Sequence, residues 1–213
     1  MATTPYTDFL KEVLPFVPGC PRSVAINAIR NAVIEFCSDT EYWQETLDAV
    51  SLSASSLPYT IPAPNTDAMY TNLLRATVDG YPLDEAPMDV LDMRVPGWQS
   101  QTGAPRAWYQ NVPGELRLYP IPPDTDPASV VLRVAYQPTR TSSGVDERIW
   151  LAYAEEISAG ALQRLMDMPS KPWSNETSAK KYDDKFSSAK VIAAIEAKKS
   201  WTRKAMQVQM RRI

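Results

Sequence analysis

The chain has 213 residues, 44% of them hydrophobic, with six Trp, ten Tyr and a formal net charge of −3. That composition folds rather than stays disordered, and the length suits one large domain or two small ones. The absence of histidine, and the 17-residue spacing of the only cysteines, Cys20 and Cys37, exclude Ser-His or Cys-His catalysis, histidine metal ligands and CxxC chemistry.

The elements are predicted in order. Residues 5–16 give a short helix with Phe9, Val13 and Phe16 at helical spacing, ended by Pro18-Gly19-Cys20-Pro21. A second helix is predicted over 22–46, with Ile26, Ile29, Val33, Phe36, Cys37 and Trp43 on one stripe. Its other face carries Glu35, Asp39, Glu41 and Glu45. The stretch 47–138 holds 13 of the 19 prolines, so helices give way there to short β-like runs. These are 49–53, 59–61, 73–78, 108–109, 116–119 and 130–136. Asp79-Gly80 is a hairpin turn signal. A small helix is expected at 87–93. Asp146 then caps a helix whose apolar residues Ile149, Tyr153, Ile157, Ala161 and Leu165 recur every four positions, ended by Pro169 and Pro172.

The last segment, 180–213, has neither Pro nor Gly and holds ten of the 22 basic residues against three of the 25 acids. It carries +7 where the preceding 179 residues carry −10. A helix from Asn175 to Ile213 would be roughly 58 Å long, against a radius of gyration of ~17 Å for a domain of this size. The expectation is an arm that reaches another molecule. Ala179, Tyr182, Phe186, Ala189 and Ala193 would pack on a neighbouring helix. Trp201, Met206, Met210 and Ile213 would be the apolar anchors, and Arg203, Lys204, Arg211 and Arg212 would meet acidic surface. Glu35, Asp39, Tyr182 and Phe186 are the candidates for contacts between subunits.

The predicted fold class is α+β, mainly α. It has a helical bundle body (1–46 and 139–172), an inserted proline-rich antiparallel β-subdomain (47–138), and a long basic C-terminal helical arm (173–213). No run approaches the ~20 apolar residues of a membrane span, and the N-terminus lacks signal-peptide features. No membrane association is therefore expected, and the setting is the cytoplasm or an assembly built there. No phosphate-binding glycine motif is present. No cofactor, metal site or catalytic residue is predicted. The aromatic residues Tyr59, Tyr70, Tyr81, Trp98, Trp108, Tyr109, Tyr119 and Tyr136 are read as core of the β-subdomain in preference to a carbohydrate platform.

Several strings then fall in one order. They are Tyr6-Thr-Asp-Phe-Leu10, Leu14 to Pro21, Ala28 to Ala32, Glu35-Phe-Cys37, Gly103-Ala-Pro105, Trp108-Tyr109, Leu116 to Pro120, Val134 to Pro138, Ala154 to Ile157, Gly160-Ala161 and Lys171 to Asn175. Together they resemble the head-to-tail adaptor, or connector, proteins of tailed bacteriophages. The resemblance implies a ring, usually of twelve copies, made in the host cytoplasm and built into the virion at the head-tail junction. The C-terminal segment would dock on the portal protein, and the far side would receive tail or nozzle proteins. Genomic DNA would pass through the channel without being read. It carries over no active site. Two other classes remain open: a virion-borne cell-wall glycoside hydrolase using the Glu35 face, and a nucleic-acid-binding module using the basic arm.

Overall fold

The computed structural model describes residues 3–199. In chain order its first elements are β1 (Thr3–Pro5), α1 (Leu10–Val13), α2 (Arg22–Thr40), β2 (Gln44–Thr46), β3 (Val50–Leu52), β4 (Tyr59–Thr60) and β5 (Ala68–Val78). Next come β6 (Tyr81–Pro82), β7 (Asp84–Glu85), α3 (Met88–Arg94), β8 (Ala107–Tyr109), β9 (Glu115–Tyr119) and β10 (Ala128–Pro138). The described residues end with β11 (Gly144–Asp146), α4 (Glu147–Met166) and α5 (Glu176–Lys199). It divides into two compact units, residues 1–43 with 138–213 and residues 44–137.

The first unit packs α2, α4 and α5 together, with α1 against α4 and α2. Of the predicted stripe on α2, Ile29, Val33, Phe36 and Cys37 are buried and Ile26 is half-buried, while Ala25, Ala28 and Ala32 complete the inward face. The helix ends at Thr40, six residues before the predicted end. Glu41 adopts a left-handed conformation (φ 52°) and its N–H closes on the Cys37 carbonyl. The Thr40 hydroxyl takes the Phe36 carbonyl at 2.6 Å. Trp43 is buried outside the helix, which is why the periodicity ran on past the real stop. In α4 the predicted stripe Ile149, Tyr153, Ile157, Ala161 and Leu165 is buried throughout. Asp146 caps the helix, accepting from the Arg148 N–H at 2.9 Å. β1 and β11 form a two-stranded antiparallel sheet, with Thr4 opposite Val145.

The second unit carries two sheets. One runs β2-β10-β5-β6 with β3 also on β10; the other runs β4-β9-β8-β7. In β10, Val130, Leu132, Val134 and Tyr136 are buried, as their spacing predicts, and Ala135 on the second face is buried too. Asp79 and Gly80 turn β5 into β6 with φ of 50° and 84°, the double positive φ of a type I′ turn. Trp98, Leu91 and Tyr109 form a small core under α3, and the Trp98 indole N–H donates to Asp92 at 2.7 Å. Trp98, Trp108, Tyr109 and Tyr136 are buried, whereas Tyr81 is 77% exposed. Burial pushes the Tyr136 phenol up to about 12, with the Glu45 charge adding to it.

The predicted fold class is corrected here. Among the described residues 42% are helical and 25% strand, in three sheets, too much sheet for a helical bundle body with a small β-insert. One sheet, β1 with β11, lies outside the predicted insert altogether. Within the insert β7 and β8 run parallel, with Asp84 opposite Ala107, so it is not purely antiparallel. Two- and three-residue strands such as β1, β2, β6, β7 and β11 are too short to show a period of two, and the sequence reading passed over them. Of the predicted arm, 173–213, the part after Lys199 lies outside the described residues. α5 lies along α4 and α2 of its own chain.

Candidate functional site

α5 starts at a cap that the sequence supplies: the Asn175 side chain accepts the Ser178 N–H at 3.0 Å. Its buried residues are Ala179, Phe186, Ala189, Ala193 and Ala197. Four of the five are alanine, so the backbone of α5 can approach its neighbours closely. The fifth, Phe186, is the anchor. A Cβ on Gly160 of α4 would fall 2.9 Å from the Phe186 ring, so this glycine opens the space that the ring fills. Phe36 of α2 lies on the other side, with ring centroids 6.4 Å apart.

Two cations flank the same ring. The Arg164 guanidinium carbon is 5.6 Å from its centroid and the Lys190 ammonium 5.1 Å. Both then reach carboxylates on α2. Lys190 Nζ donates to Glu35 Oε1 at 2.6 Å and to Asp39 Oδ2 at 2.7 Å. Arg164 pairs with Glu35. Two carboxylates and two cations thus tie α2, α4 and α5 into one bonded cluster. Farther along α5, the Tyr153 hydroxyl donates to Glu196 at 2.6 Å. Tyr153 sits where α4 leaves helical geometry (φ −136°, ψ 25°), with its ring tilted against Phe36 and edge-on to Tyr42. The Lys185–Glu155 pair at 3.3 Å is mostly in solvent and adds little.

The four subunit-contact candidates are therefore placed as follows. Phe186 is buried, Glu35 and Asp39 bond to Lys190 within the chain, and Tyr182 is half-buried with its ring edge-on to Phe16 at 6.3 Å. The predicted docking residues Trp201, Arg203, Lys204, Met206, Met210, Arg211, Arg212 and Ile213 lie outside the described residues. Sequence reasoning missed Arg164, Lys190, Gly160 and Tyr153 as a group. The only signal was complementary charge at separate positions, which does not say which pairs meet.

For the hydrolase alternative, the geometry matters. Glu35 and Asp39 converge on one ammonium, an arrangement that fixes a helix rather than leaving an acid and a base facing a cleft. A cavity of about 230 Å3 lined by Tyr42, Trp43, Asp146, Arg148 and Ile149 holds one acid, Asp146. That carboxylate is taken up by the backbone and guanidinium of Arg148. Burial, with the Asp146 charge behind it, keeps the Cys37 thiol well above its ordinary pKa and so protonated. No described helix is long and apolar enough to cross a membrane.

The clasp has an alkaline limit. Burial alone would pull the Lys190 pKa down, but the bonds from Asp39 and Glu35 outweigh it and leave the pKa raised. Burial, then the bond to Glu196, raises the Tyr153 phenol. Stabilisation from a raised pKa is fully present below the unfolded value and is lost as pH rises through the folded one. The Lys190→Met chain is expected to be less stable than wild type by about 1–2 kcal/mol near neutrality, a gap that closes above pH ~10.5. Thermal melts of both proteins from pH 7 to 11.5 check this. A gap unchanged across that range would contradict it.

With α5 bonded to its own body, the comparison with known families gives the class of protein. No individual curated protein matches this sequence. The SU10 adaptor protein family, by contrast, matches over residues 4–211. The chain belongs to the SU10 adaptor protein family, and with it to the structural adaptors of the phage virion at the head-tail junction.

Proposed function

We propose that the protein assembles as a closed ring of twelve copies between the portal and the tail or nozzle proteins, through which the genome passes without being read. The observation that carries this is the reach of the family match. It runs to residue 211, so the cationic C-terminal stretch lies inside the shared pattern together with the folded units. In this reading α5 is fixed to its own body, and the segment beyond it docks on the portal through Trp201, Met206, Met210 and Ile213, with Arg203, Lys204, Arg211 and Arg212 against acidic surface. Glu35, Asp39, Tyr182 and Phe186 act on the ring indirectly, by holding α5 in place next to the subunit boundary. A heterologous contact closes when its rotation divides a full turn. The acidic body, −10 over residues 1–179, favours a conduit, because like charge keeps DNA from adhering to the wall.

Native mass spectrometry of the chain mixed with the portal protein of the same phage tests the ring. Twelve chains of 23.8 kDa should appear as one added mass of about 286 kDa on the portal. A mixture containing only free monomer, or a distribution of partial occupancies without a closed species, would contradict it.

A further inference from the structure

Among α1, α4 and α5 the helical unit holds a cleft of about 140 Å3, close to the ~150 Å3 of a cavity that takes a benzene ring. Leu162 of α4 lines it together with two rings, Phe16 and Tyr182, which lie edge-on to each other at 6.3 Å. Ser158 lines it too. That residue is 3% exposed, and its hydroxyl oxygen is buried without a hydrogen-bond partner among the described residues. A serine inside a helix ordinarily bonds the carbonyl four residues back, and a buried hydroxyl left unbonded calls for an explanation. A space the size of one side chain beside such a hydroxyl marks a site for a group from outside.

The charge at the cleft is unbalanced as well. Lys185 pairs with Glu155 at 3.3 Å, whereas the Glu12 carboxylate has no partner among the described residues. The occupant that fits is a flexible apolar side chain carried next to a cation. This chain has that pairing at the end of α3. Met93 is 83% exposed, the most of the described large hydrophobic residues, and Arg94 beside it is exposed with no side-chain partner among them. Tyr81 (77%) and Leu151 (74%) come next. Each of those stands among acids, Asp79 and Asp84 for the first and Glu147 and Glu155 for the second, which Glu12 would repel. A thioether adapts to irregular space and packs well on ring edges, and its sulfur accepts a weak hydrogen bond of the kind Ser158 has to give. Of the acids near Met93, Asp92 is taken by the Trp98 indole N–H; Asp89, one turn earlier, matches Lys185.

We propose that this cleft is the socket of the contact between ring subunits, and that it receives Met93 of the neighbouring copy while that copy's Arg94 pairs with Glu12. The proposal rests on the ring reading given under Proposed function and names the surfaces that close it. Knob and socket are different parts of one chain, so the contact is heterologous, the kind from which closed rings are built.

The test assembles full-length variants on purified portal ring from the same phage and reads the chain concentration at which half of the rings are closed. Met93→Asp should raise that concentration about 30-fold. Its melting point should stay within ~2 °C of wild type, since the side chain is exposed. Glu12→Arg and Arg94→Glu should each raise it about 10-fold, and the two together in one chain should return it to within about 3-fold of wild type. If Met93→Asp closes rings at the wild-type concentration, this proposal fails and the ring reading stands. If the two charge reversals add instead of cancelling, the cleft receives another group, residues 201–213 of the same chain included, and the proposal is overturned. A wild-type chain that closes no ring removes the ring reading, and the proposal falls with it.

Discussion

A Phe186→Ala chain is expected to lose about 3–5 kcal/mol of stability, the largest single-residue effect in the helical unit. The ring is 2% exposed, so its removal leaves a void that the alanine-rich remainder of α5 cannot fill. It also leaves Arg164 and Lys190 without the aromatic face both approach. Gly160 makes the loss worse, because it offers no side chain to move into the gap. At about 2–4 °C per kcal/mol the melting point should fall by roughly 6–20 °C, and protease should cut first within α5. Phe186→Leu, which keeps most of the volume, should cost about 1–1.5 kcal/mol. A shift below ~1 kcal/mol for the alanine variant would mean that α5 is not held to the body in this way.

What could be read from the sequence followed the length and regularity of each element. α4 and β10 bury every residue that their spacing picks out, and α2 buries all of those within the helix except the half-buried Ile26, with the small residues Ala25, Ala28, Ala32 and Ala135 buried beside them. Asp79-Gly80 and Asp146 act as the turn and the cap that their side chains suit. Three-residue strands left no such trace. β11 occupies Gly144–Asp146, a stretch read only as the approach to a helix cap. The acidic face assigned to one long helix is in fact split. Glu35 and Asp39 lie on α2, Glu41 is its left-handed cap and Glu45 is in β2.

The described part of the arm, α5, lies along its own body. Its length exceeds the radius of gyration of a domain this size, yet a bundle of elongated helices has a long axis. A 20-residue α4 offers about 30 Å of surface to the ~36 Å of α5. The stripe Ala179, Phe186, Ala189 and Ala193 was rightly read as packing on a helix, and the partner is in the same chain. Lys190 was counted with the free cations, although it bonds to two acids of α2. Pairwise chemistry of this kind depends on which helices are neighbours, and a one-dimensional charge count carries no such information.

The second large effect concerns assembly. Deleting Trp201–Ile213 removes the four proposed apolar anchors and four cations but none of the described contacts of α5, so the truncated chain should melt within ~2 °C of wild type. Its affinity for the portal should nevertheless fall at least ~100-fold, since a few Trp, Met and Arg side chains carry most of the energy of such joints. Adding salt should weaken the wild-type complex and leave the residual binding of the truncated chain almost unchanged. The decisive measurement is the binding isotherm of full-length and truncated chains on purified portal rings. The adaptor account predicts saturable capture of the first and near-complete loss for the second, with both proteins folded; equal capture of the two would contradict it.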